Sequence, residues 1–160
     1  LEIAKIANHR VFRQGPLILF DQSGNFELEH AEKATAIYSQ VIAEDGFVLI
    51  LLDFTHSGIT APGSRKHLAH WGKENSQQVC IGAVGGTFMV RTTLTLLVTA
   101  IKLLSGSPPE VSFFNTREQA GAWLELQRQR LTATQAAQHK AAAYLRNTKL
   151  LGKSMGEFAG

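Results

Sequence analysis

The sequence predicts an α/β fold: a mixed, mostly parallel β-sheet of about five strands flanked by helices, with a helical C-terminal extension. Three observations predict it. Short apolar runs such as FVLILL and VCIGAV recur, each closed by glycine or an acid, as strands covered on both faces read. Between those runs, apolar residues fall at helical spacing over about ten residues or more, so each strand is returned by a crossover and lies parallel to the last. Ahead of them, two short runs close enough for a hairpin make the sheet mixed.

The elements follow in chain order. Arg10 to Arg13 and Leu17 to Phe20 read as paired strands around Gly15-Pro16, with Asp21-Gln22-Ser23-Gly24 closing the second. From Glu29, the residues Ala31, Ala34, Tyr38, Val41 and Ile42 mark one helix face until Asp45-Gly46 stops it. Phe47 to Leu52 is a buried strand. A second helix spans about Pro62 to Lys73, with Thr60 as its cap and Pro62 in the first turn, where a missing N–H does no harm. Val79 to Val84 is another buried strand, and Gly85-Gly86 turns it into a third helix that Gly106 to Pro109 ends. Val111 to Phe114 is the last strand. Asn115 caps the helix after it, with Glu118 bonding back to the cap, and Ala120, Trp123 and Leu124 face inward. Trp123→Ala should then cost about 3–5 kcal/mol through an unfilled cavity.

Beyond Gln127 the composition shifts to Ala, Gln and Lys, with a thin apolar stripe of Leu131, Ala137, Ala141 and Leu145. Residues 1–130 are expected to form the α/β domain. Residues 131–160 form a helical or partly disordered basic tail, with Lys140, Arg146, Lys149 and Lys153 against Glu157. That stripe would suit a partner subunit; a solvated extension is the plainer reading.

Composition narrows the function. The chain has 160 residues, 44% hydrophobic and 18% charged, enough for one domain with its own core. A mild net charge of +3, with basic residues scattered rather than striped, argues against nucleic acid as partner. The lone Cys80 excludes an internal disulfide and a thiolate-rich zinc site, and points to a reducing, cytoplasmic setting; in an apolar strand it should be an inert core thiol. No signal-peptide pattern opens the sequence. The third helix is the most apolar stretch, yet only ten uncharged residues separate Arg91 from Lys102, against roughly 20 for a membrane span. It is therefore expected to lie largely buried, with Arg91, Thr95, Thr99 and Lys102 as its polar stripe. A membrane-surface or lipid-binding role for the rest of its face stays open.

The order strand, strand, helix, VLILLDFT, a helix near SRKHLAHW, VCIGAVGG before a helix carrying Arg91, then VSFFNTREQAGAWL, resembles the SpoIIAA-like branch of the STAS superfamily over roughly residues 10 to 128. That superfamily includes bacterial anti-sigma-factor antagonists and cytoplasmic domains of sulfate transporters. The resemblance implies a regulatory, often dimeric, protein-binding domain rather than an enzyme. In its phosphorylatable members an acid and a serine open the helix after the LDF-like strand; here those places hold Ala61, Pro62 and Gly63, so the motif is absent.

Ser64, one residue further on, is the candidate phosphosite. Asp53, Thr55, Thr60, Ser64, Arg65 and Lys66 make up a candidate anion- or ligand-binding loop and helix start, where amides, the helix dipole and two cations would hold an anion. Asp53 itself should accept N–H bonds from the loop that follows.

Catalytic and metal readings are weaker. His56, His67 and His70 with Asp53 could gather around zinc, but the spacing matches no recognised signature. Ser57 beside His56 is proximity in sequence only, and GAVGG lacks the third glycine and the acid of a dinucleotide site. No cofactor or metal is expected. Two functions stay open: a regulatory or interaction module acting through a protein partner or as a homodimer, and a carrier holding an apolar or lipid-like small ligand between the third helix and the sheet, apart from any anionic ligand at the loop and helix start.

Overall fold

The computed structural model describes residues 1–158. Six strands form one sheet in the order β1 (Glu2–Ile6), β2 (His9–Gln14), β3 (Leu17–Phe26), β4 (Val48–Thr60), β5 (Val79–Val84) and β6 (Glu110–Phe114). The first three are antiparallel and the last four run parallel. Helices α1 (Leu28–Asp45), α2 (Pro62–Asn75) and α3 (Phe88–Ser105) make the crossovers, and α4 (Arg117–Phe158) follows β6. The chain divides into a compact unit, Leu1–Gln127, and a second beyond it. Within the described residues the second unit is α-helix; residues 159 and 160 of the expected tail lie outside them.

Strand order equals chain order, so every right-handed crossover must pass over the same face. Ala31, Ala34, Tyr38 and Val41 of α1, with Leu68 and Trp71 of α2, accordingly share a core with Ile18, Phe20, Ile50 and Val79. Leu94 of α3 continues that layer against Phe54 and Ala83. The alternate residues of the strands point the other way. There Gly82 leaves room for Ala120 and Leu124 of α4, which lie 3.4 Å from where its Cβ would stand.

Several elements differ from the sequence reading. β1 is a sixth strand; its turn to β2 is Ala7-Asn8, with Ala7 rather than a glycine at φ 53°. β4 runs eight residues past Leu52, pairing with a longer β3 through Ser23↔His56, Gly24↔Ser57 and Phe26↔Thr60. Hydrogen bonds rather than an apolar pattern hold this polar ribbon, including the Ile59 amide to Asn25 Oδ1 at 2.9 Å. Thr60 therefore ends β4 and does not cap α2, whose N-cap is Ala61 without a side-chain bond. At α4 the cap is displaced by one residue. Thr116 Oγ1 accepts the Gln119 amide and Gln119 Oε1 accepts the Asn115 amide, both at 3.2 Å, in place of the Asn115–Glu118 pair.

The largest departure is α3. It is an 18-residue helix, long and apolar enough by length and composition to cross a membrane, since the helix extends beyond Arg91 and Lys102 at both ends. Rather than lying largely buried, it buries Leu94 and Ile101 and exposes Phe88, Met89, Leu96 and Leu103. Trp123 is half-buried against Phe114, ring centroids 5.6 Å apart, so the inward-facing residues of α4 are Ala120 and Leu124.

Candidate functional site

The six residues singled out around the β4–α2 junction do not form one site. Asp53 faces the α4 side of the sheet. The Thr55 amide and hydroxyl donate to its Oδ1 at 2.9 and 2.6 Å, as expected of the following segment, and Arg117 Nε donates to Oδ2 at 2.6 Å. Arg117 also reaches Asp21, the partner of Asp53 in the β3–β4 register, at 3.4 Å. Burial raises the Asp53 carboxyl, but the Thr55 donors and Arg117 outweigh it and hold the pKa below its usual value. This acid is satisfied by protein groups and braces α4 to the sheet.

Ser64 lies on the opposite face. It is fully buried and its hydroxyl donates to the Phe26 carbonyl at 2.9 Å, so it fastens α2 to the end of β3 and offers no surface hydroxyl for phosphorylation. Arg65 and Lys66 are exposed beside it. The imidazoles do not converge: His67 is bonded to Thr35 Oγ1 at 2.8 Å, His70 meets Glu74 at 3.3 Å, and His56 lies across from Ser23 in the strand register. Among the described residues no group of three or more His, Cys, Asp or Glu side chains could hold a metal. Ser57 turns its hydroxyl to the Phe54 carbonyl at 2.9 Å, so it is not poised as a nucleophile toward His56.

What the fold does build is a cavity. It lies between the helix-covered face of the sheet and α1, α2 and α3, has a volume of about 100 Å³ and opens in part to solvent. Phe20, Ile50, Leu52 and Phe54 floor it, Trp71 belongs to the α2 wall and Leu97 to the α3 wall. Two glycines set its outline. Gly72 lets Ile101 of α3 approach α2, since a Cβ there would stand 2.5 Å from the Ile101 side chain. Gly86, at φ 82°, turns β5 into α3 directly over Phe54, as the sequence reading of GAVGG as a tight turn anticipated.

Gln22, Thr60 and Arg65 interrupt the apolar lining near the carboxyl ends of β3 and β4, and Thr93 of α3 and the Tyr38 hydroxyl of α1 add polar atoms elsewhere in it. Thr60 and Arg65 were legible in the sequence; Gln22 was read as part of a turn. Its signal was the period of two, since Ile18, Phe20 and Gln22 alternate onto one face and place an amide where an apolar residue belongs. Gln22 is 4% exposed, and among the described residues its Nε2 is the buried side-chain nitrogen or oxygen without a hydrogen-bond partner.

No family model and no curated protein matches the chain by sequence. Solved structures match by fold. An uncharacterised Shewanella loihica protein with a SpoIIAA-like fold superposes with a TM-score of 0.52 at 17% identity, covering 72% of this chain and 91% of that one. The unphosphorylated anti-sigma factor antagonist SpoIIAA gives 0.53 at 11% identity, covering 73% and 97%. An anti-sigma factor antagonist from Mycobacterium paratuberculosis gives 0.50 at 14%, covering 74% and 93%. The fold of this chain is thus SpoIIAA-like, shared with anti-sigma factor antagonists.

Proposed function

We propose that this SpoIIAA-like domain is a non-enzymatic binding module that holds an apolar small molecule between its sheet and helices α2 and α3. The observation that carries this reading is the cavity itself. A core normally closes to native packing density, whereas here aromatic and aliphatic side chains line a hollow of about 100 Å³ with few polar groups in its wall, the apolar lining of a ligand site. The roof supports it: α3 is held to the fold by few buried side chains, so it can move aside at modest cost. A cytoplasmic setting accords with a single cysteine, Cys80, that is buried and carries no disulfide.

A second reading has its own support. Phe88, Met89, Leu96 and Leu103 leave an apolar strip on the outside of α3, and the fold is shared with anti-sigma factor antagonists. A protein partner, or a second copy in a homodimer, would cover that strip. Native mass spectrometry of protein purified from cells distinguishes the two. A bound mass of roughly a few hundred daltons per chain, released on denaturation, supports the ligand reading. Bare chains associating as a dimer, with no adduct, overturn it in favour of the interface.

A further inference from the structure

The unpartnered amide of Gln22 carries the ligand reading further. A buried donor without an acceptor costs about 1–3 kcal/mol, and buried polar groups are nearly always satisfied. Gln22 lines this apolar cavity, which α3 would widen by moving aside, so its missing acceptor is supplied most directly by a guest's own oxygen. Arg65 is the one charged residue in the lining, and among the described residues it makes no ion pair. No carboxylate lines the cavity to repel an anion.

Gln22, Thr60 and Arg65 are also placed at one end. Gln22 follows Asp21, which pairs with Asp53, and Thr60 and Arg65 lie beyond it along β4 and into α2. At the other end Val79 pairs with Val48, and Val79 and Ile101 present hydrocarbon. Six residues of strand separate the two levels, about 20 Å. An elongated guest with an oxygen-bearing anionic head and a hydrocarbon body fits this gradient.

Resting on the cavity reading above, we propose that the ligand is a long-chain carboxylate, its head accepting a hydrogen bond from Gln22 Nε2 and facing Arg65, its chain lying along β4 toward Val79 and Ile101. Gln22 is the specificity-determining residue. Leucine in its place keeps the volume and removes an unsatisfied amide, so Gln22→Leu should fold at least as stably as the parent.

The test uses the full chain and two probes: diphenylhexatriene, a hydrocarbon fluorophore without any acceptor, and palmitate at submicellar concentration as its competitor. The expected result is that both bind, that Gln22→Leu keeps the fluorophore while weakening palmitate by about tenfold or more, and that Arg65→Met weakens palmitate by a smaller factor because its charge is exposed. Palmitate binding unchanged in both variants, with the fluorophore still bound, overturns the carboxylate assignment and leaves the cavity reading standing. Neither probe binding the parent chain overturns both.

Discussion

His9 is fully buried, yet it is an ionisable ring. Its Nδ1 accepts the Ser23 amide at 3.0 Å, which leaves the proton on Nε2 to be shared with His30 Nδ1 at 3.1 Å. Burial first, and then the neighbouring His30, lower its pKa from 6.5, against a smaller opposing backbone contact from Asn25. In the unfolded chain the ring takes up its proton near 6.5, whereas the folded chain resists, so stability falls as pH drops through 6.5 toward the lowered value. Urea unfolding at pH 7.5 and 5.5 should show a larger loss for the parent than for His9→Leu; equal losses would assign the pH response elsewhere. A second residue-scale prediction concerns α4. Leu124 is 1% exposed and Trp123 only half-buried, so Leu124→Ala should cost ~2–5 kcal/mol and Trp123→Ala ~1–2 kcal/mol in the same assay; the reverse ranking would turn the helix around its axis. The sequence showed that both residues belong to one helical stripe, but helical spacing leaves the stripe's centre uncertain by a residue, which is enough to exchange a tryptophan for a leucine.

At the scale of elements, periodicity found the buried strands and the three crossover helices because their residues repeat a simple pattern. It missed what other forces hold. The far half of β4 is a polar ladder, and β1 enters through a left-handed alanine, so neither carries an apolar rhythm. The candidate site suffered for the same reason: once HSGIT is strand rather than loop, Asp53 and Ser64 stand on opposite faces of the sheet. Helix α3 was read as largely buried because apolar residues usually are; the sheet below it accepts only one narrow side. Leu94→Ala should therefore destabilise the domain by ~2–4 kcal/mol, while Leu103→Glu, at a position 83% exposed, should change stability by less than ~0.5 kcal/mol. Denaturant midpoints for the two variants decide the matter, and a large effect of Leu103→Glu would mean that the outer strip is covered in solution.

For the whole molecule, the fold class was legible from alternation alone, whereas the cavity was not, because empty space between elements leaves no mark in any one of them. The buried core residues of the sheet and its covering helices all fall within Leu1–Gln127. A chain ending at Gln127 should then unfold in a single cooperative transition; loss of that transition would make residues after 127 part of the core. The sheet's strand order has one more consequence. Because each strand docks beside the one made just before it, a nascent chain leaving the ribosome can extend its sheet edge by edge without holding a gap open for a later arrival. Until β6 emerges, the growing margin at β5 is raw backbone, so premature termination there would yield a species prone to sticking to its siblings.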